Sequence, residues 1–166
     1  MVPDLETVIA FAVTASACLA SAVIDVRSHR IPNRITFPAM LALLAVHGIG
    51  SGLPGLSDAA LGMLGGFLIL LVPHLLGVLG AGDVKLMAVV GAGLGSASLL
   101  TVFAFTSLAG GAQILVWRAW LVLSRGKSGH GYRICYGPAI AAGAIGAMVL
   151  VLCGEPYLSF DFSNFF

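Results

Sequence analysis

Gly80-Ala81-Gly82-Asp83-Val84-Lys85 sets two glycines, an acid and a base between two apolar runs. An ionisable side chain near hydrocarbon costs about 2.5 to 3.5 kcal/mol by insertion scales, so an Asp kept there faces the bundle interior or water and marks a functional position. Gly80 and Gly82 permit backbone shapes that a side chain forbids, interrupting the helical run and letting another chain come close. Asp83 is therefore the first candidate for chemistry. The plainer alternative is that it caps a helix starting at Val84, since Asp accepts hydrogen bonds from the orphan amides of a first turn. The hexapeptide alone leaves both readings open.

The surroundings of this stretch decide the fold class. The chain has 166 residues, 59% hydrophobic and 9% charged, which lies far outside the range of a soluble domain. A spanning helix needs about 20 mostly apolar residues, so residues 1–166 hold roughly six spans with short connections and form a single integral-membrane domain. The expected class is all-α, a polytopic membrane bundle. The first apolar run follows Asp4 and Glu6 with no basic residue before it, unlike a secretory signal, and is expected to stay as a span. Cys18, Cys135 and Cys153 form no C-x-x-C pair and are expected to be packing residues. A net charge of +1 argues against nucleic acid as a partner; membrane lipids are the expected surroundings.

Before the hexapeptide, the first span is expected over Leu5 to Ile24, ending at a polar connection that begins with Asp25 and carries Arg27, Arg30 and Arg34. Pro32 within it disfavours helix at Ile31. A second, short run covers Ile35 to Ile49, and Gly48, Gly50, Gly52, Pro54 and Gly55 then read as a loop. The third run, Ala59 to Leu79, has Gly62, Gly65 and Gly66 for close helix packing, Pro73 as a kink, and His74, expected to hydrogen-bond a neighbouring helix as a neutral imidazole.

After the hexapeptide, a fourth span starts with Leu86 to Leu94, and a fifth covers Leu99 to Trp117, with Trp117 and Trp120 at the interface. A polar loop with Arg118, Arg125, Lys127, His130 and Arg133 leads to the sixth span, Tyr136 to Cys153, and an aromatic tail that is expected along the interface. Threading six spans puts every Lys and Arg on one side, the cytoplasmic side by the positive-inside rule, with both termini outside. Asp4, Glu6, Asp58, Glu155 and Asp161 fall on the other side. Only Asp25 and Asp83 share the basic side, at the same depth.

Two carboxylates brought together cannot both ionise cheaply, so the pair shares a proton and provides an acid and a base from one residue type. In aspartic proteolysis the ionised partner takes a proton from water while the protonated one hydrogen-bonds the scissile carbonyl, so no metal or cofactor is expected. No H-E-x-x-H is present, and His29, His47, His74 and His130 show no ligand spacing. The competing class is a small transporter or channel using Asp25 and Asp83 as ion or proton sites, although such acids should lie near mid-membrane rather than at span ends.

These residues resemble the type IV prepilin peptidases, membrane aspartic proteases with a G-x-G-D motif, over nearly the whole chain. Asp25 followed by Arg30-Ile31-Pro32-Asn33 is similar to the family's first catalytic Asp and its I-P-N segment. Gly80-Ala81-Gly82-Asp83-Val84-Lys85 is similar to the second block, and Tyr136-Gly137-Pro138-Ala139-Ile140-Ala141 to a third. The resemblance implies that Asp25 and Asp83 are catalytic and that Gly80, Gly82, Lys85, Pro32, Asn33, Tyr136, Gly137 and Pro138 support them.

It also implies a prepilin partner, a hydrophobic N-terminal helix with a short basic leader, cut at the cytoplasmic face of a bacterial inner membrane. Lys85 would orient Asp83 or bind a headgroup, and Arg27, Arg30 and Arg34 are expected to be topology anchors. The longer bifunctional members carry an inserted cytosolic segment with two Cys pairs and also N-methylate the product. This sequence shows neither feature, so cleavage without methylation is expected, as in the compact peptidases of tight-adherence (Flp-type) pili. Cys135 stands where the family often has Pro. Presenilin and signal peptide peptidase share G-x-G-D, but their Pro-Ala-Leu block is absent.

Overall fold

In hydrocarbon every backbone N–H and C=O must be paired within the protein, which turns uniformly apolar runs into helices. The computed structural model describes residues 4–123 and 135–158, the side chain of Leu121 excepted, and among them are six helices and no strand. They are α1 (Leu5–Ser28), α2 (Asn33–Gly50), α3 (Gly52–Leu75), α4 (Ala81–Leu94), α5 (Leu99–Leu123), entered through a 3-10 turn over Ser96–Ser98, and α6 (Gly137–Leu152). Leu5–Ser28, Gly52–Leu75 and Ser96–Trp120 are each long and apolar enough to cross a membrane. The all-α polytopic class expected from composition is the one adopted.

α4 is the keel. Its 14 residues give about 21 Å of helix, short of the roughly 30 Å of a hydrocarbon core. Eleven of the 14 are buried, because α1, α2, α3 and α6 all pack around it. The two apolar clusters of the molecule meet on it: Leu86, Met87 and Val90 join Leu70, Ile140 and Met148, while Val89 and Ala92 join Ala10, Ala39 and Leu43. α3 approaches it most closely. A methyl on Gly62 would overlap the Gly91 carbonyl, one on Gly91 would overlap the Gly62 carbonyl, and one on Gly66 would overlap that of Met87. The two helices thus touch backbone to backbone, as small residues in membrane helices allow. α5 is peripheral and packs mainly on α6.

Several boundaries differ from those expected. α1 continues past Ile24 to Ser28, so Asp25 lies in its last turn and not in a connection. Nothing in Asp25-Val26-Arg27-Ser28 breaks a helix; the break comes at His29, in the left-handed region with φ 51°, whose N–H bonds the Asp25 carbonyl at 2.8 Å. Pro32 then takes the extended N-cap position of α2. The expected loop over Gly48 to Gly55 shrinks to Ser51. Gly48 and Gly50 complete α2, and Gly52, at φ 67°, opens α3. Pro54 sits in that first turn, where its missing N–H has no intrahelical partner to lose. α3 ends at Leu75, one turn short of Leu79, with Pro73 in its last turn. α4 begins at Ala81 rather than Val84, and α5 runs six residues beyond Trp117.

The ends of the bundle differ in character. Arg27, Arg30, Arg34 and Lys85 gather where α1 ends and α2 and α4 begin. At the other end Glu6 joins His47 Nδ1 at 2.7 Å and accepts the Ser51 hydroxyl at 2.6 Å, while Asp58 accepts the Ser96 amide at 3.2 Å. Arg125, Lys127, His130 and Arg133, and Asp161 of the tail, lie outside the described residues. The described part of the tail folds back on α5, with Tyr157 against the core and the Leu158 amide donating to Thr101 Oγ1 at 2.8 Å.

Candidate active site

A carboxylate seated at a helix start accepts amides that have no intrahelical partner and meets the positive end of the helix dipole. Both candidate aspartates are seated this way. Asp25, 6% exposed, takes the Gly137 amide on Oδ2 at 3.0 Å and so caps α6 from across the bundle. Asp83, 7% exposed, is the third residue of α4, and its Oδ2 takes the Gly80 amide at 3.0 Å. The capping alternative for Asp83 is therefore realised one turn earlier than expected, and it occupies only one of the two carboxylate oxygens. Among the described residues neither Oδ1 accepts a protein hydrogen bond, which leaves each to water or a ligand.

Both carboxylates line one cavity of about 570 Å³, together with His29, Arg30, Lys85, Cys135 and the connection from Gly77 to Ala81. The space is built by close backbone approach. A Cβ on Gly137 would stand 2.9 Å from Asp25 Oδ2, and one on Gly82 would stand 2.8 Å from the Ile31 Cβ. Glycine at 137 lets α6 reach Asp25, and glycine at 82 lets the I-P-N segment lie on the first turn of α4.

The supporting residues divide in two. Gly80, Gly82 and Lys85 line the cavity; Pro32, Asn33, Tyr136, Gly137 and Pro138 stand behind it. Lys85 Nζ donates to Asn33 Oδ1 at 2.9 Å and lies 5.6 Å from the centre of the Phe37 ring. Tyr136 takes the N-cap position of α6, with its ring against Gly110 of α5, and Pro138 follows in the first turn. His74 Nδ1 pairs with the Leu79 carbonyl at 2.9 Å, inside its own connection and not on a neighbouring helix as expected. Of Arg27, Arg30 and Arg34 only Arg30, in the connection between α1 and α2, reaches the cavity wall.

Two wall residues were not expected at the site: Cys135, read as a packing residue, and His29. His29 Nδ1 and Cys135 Sγ meet at 2.9 Å, 106 positions apart, and Gln113 Nε2 holds the Cys135 carbonyl at 2.8 Å. No spacing pattern links residues so distant. The one signal was the departure at Cys135 from the residue usual before Tyr-Gly-Pro. Among the described residues no three His, Cys, Asp or Glu side chains group as metal ligands would.

The type IV leader peptidase family model matches residues 12–115. A protein of Bacillus subtilis (strain 168) described as "Prepilin leader peptidase/N-methyltransferase" is 35% identical over 142 residues, covering 84% of this chain and 53% of the relative. Proteins of the same description from Burkholderia pseudomallei strains 1026b and K96243 are 34% identical over 149 residues, covering 86% of this chain and 45% of theirs. The chain spans about half the length of the curated relatives it matches. No solved structure matches it.

Proposed function

The chain belongs to the type IV leader peptidase family, and from that membership we propose that Asp25 and Asp83 are the catalytic pair of an aspartic endopeptidase that removes the leader from type IV prepilins. The observation that carries the reading is the matched seating of the two carboxylates. Each is almost wholly buried, each has one oxygen held by a backbone amide at a helix start, and both line one cavity. A clamp on Oδ2 fixes the plane of each carboxyl without consuming the oxygen that must exchange a proton.

In the reaction the ionised partner takes a proton from water, and the water oxygen attacks the scissile carbonyl carbon. The protonated partner hydrogen-bonds the carbonyl oxygen as it gains charge. When the tetrahedral intermediate collapses, the C–N bond breaks and the leaving amine takes a proton from a carboxyl, returning the pair to one proton between two acids.

The substrate is read as a Flp-type prepilin, hydrophobic along its N-terminal helix with a short basic leader, and the reaction as cleavage without N-methylation. Support for a prepilin comes from the resemblance of the three motif blocks to the type IV prepilin peptidases, and for the compact, non-methylating form from the cysteines of the sequence, Cys18, Cys135 and Cys153, which form no C-x-x-C pair. The active site is read as facing the cytoplasm of a bacterial inner membrane with both termini outside, in keeping with the basic residues gathered at that end. Asp25 in the last turn of α1 and Asp83 in the first turn of α4 lie at helix ends, which favours this reading over an ion path through mid-membrane.

The test is a cleavage assay in liposomes with a Flp-type prepilin. Wild-type protein should cut at the leader junction, and Asp25→Asn and Asp83→Asn should each abolish the cut while inserting normally. A retained cut in either variant would sink the pair. The product mass decides the methylation reading in the same run.

A further inference from the structure

The amide clamps hold each aspartate to a helix, but neither clamp spans the gap between the two. Gly137 fastens Asp25 to α6, and Gly80 fastens Asp83 within the first turn of α4. The link that does cross is the Lys85 ammonium, which donates to Asn33 Oδ1 at 2.9 Å and lies over the Phe37 ring. Asn33 and Phe37 are one turn apart on α2, so the first turn of that helix holds the ammonium at two points. Asn33 follows Asp25 through His29-Arg30-Ile31-Pro32, and Ile31 in that bridge rests against Gly82. The tie thus joins the turn bearing Asp83 to the chain leaving Asp25. Lys85 makes no ion pair with either carboxylate; the ion pair among the described residues is that of Glu6 with His47.

We propose that Lys85, acting through Asn33, is the positioning residue that sets the spacing between the two halves of the catalytic pair. The inference rests on the peptidase reading above. It gives a charged side chain at the cavity wall a task other than contact with substrate or lipid headgroups, and it explains why the I-P-N asparagine and the lysine after G-x-G-D occur together.

The experiment measures kcat and KM for prepilin cleavage in liposomes by wild type, Lys85→Met, Asn33→Ala and the double variant, each referred to the protein that remains folded by its melting curve. Each single variant should lower kcat about tenfold with KM changed less than about twofold, the response to reacting groups held slightly out of place. The double variant should lose about the same tenfold, because both changes cut one link. Asn33→Asp, which keeps an acceptor for the ammonium, should stay within about threefold of wild type, a recovery that loss of bulk alone would not produce. Losses that multiply to about a hundredfold in the double variant, or a raised KM at constant kcat, would assign Lys85 to substrate or headgroups and overturn the inference. A wild type that cleaves no prepilin would remove the peptidase reading and this inference with it, whereas a cleaving wild type with uncoupled variants would remove the inference alone.

Discussion

Gly137→Ala probes the contact on which Asp25 depends. The added methyl would stand 2.9 Å from Asp25 Oδ2, 3.1 Å from its Cβ and 3.3 Å from its Cγ. Unstrained carbon contacts begin at about 3.5 Å, so the carboxyl must retreat by roughly 0.5 Å, away from an amide now at 3.0 Å. A hydrogen bond to a charged group is worth about 1.5 to 3 kcal/mol, and each 1.36 kcal/mol of barrier is tenfold in rate, so partial loss should lower kcat about ten- to a hundredfold. The fold should suffer less, about 1 to 3 kcal/mol for overpacking at one site. Gly111→Ala on α5 is the control: nothing lies within 4 Å of its new methyl, and it should leave kcat unchanged. The assay is prepilin cleavage under saturating substrate, with melting curves for both variants. A Gly137→Ala protein with wild-type kcat would refute the claim that Asp25 is held from α6.

The remaining expectations concern stability and access. Gly91→Ala drives a methyl into the Gly62 carbonyl, where backbone on both sides cannot yield, and should destabilise by about 3 kcal/mol or more or prevent insertion, read by thermal melting in micelles. Glu6→Gln weakens the contact with His47 and Ser51 at the far end of the bundle; it should cost about 1 kcal/mol of stability and leave kcat unchanged. Alkylation of Cys135 should block cleavage by filling the cavity beside Asp25, Cys135→Ser should protect against the block, and alkylation of the distant Cys153 should be harmless.

Six helices were legible because nothing but a helix satisfies the backbone of a long apolar run, and the shared location of Asp25 and Asp83, which line one cavity, was legible because acids are scarce on the basic side. What escaped was the work of the glycines. Gly48, Gly50, Gly52 and Gly55 read as a loop, yet Gly55 serves to pass the His47 carbonyl and Gly52 alone takes a left-handed backbone. A glycine kept for close approach and one kept for a turn look the same in one dimension. Asp25 was assigned to a connection because polarity rises there, but hydrogen bonding continued the helix another turn, and that turn points the carboxylate inward at Gly137. The partners of Lys85 and His29 depend on which helix starts come together, and no local pattern records that. The family resemblance named Asn33, Lys85 and Gly137 as a set without saying that Lys85 lines the cavity while Asn33 holds its ammonium and Gly137 holds Asp25.

The backbone contact between α3 and α4 has a mechanical consequence. Helices in contact through their carbonyls cannot slide or part without opening a gap that no side chain is there to fill, so α3 and α4 behave as one rigid plate carrying Asp83. Asp25, pinned to the start of α6, belongs to a second plate made by α1 and α6. Between the two plates the contact is side chain on side chain, in the cluster that joins Cys18 of α1, Leu86 and Val90 of α4 and Ile140 of α6, so the two carboxylates are carried by plates that meet through softer atoms than the α3–α4 seam.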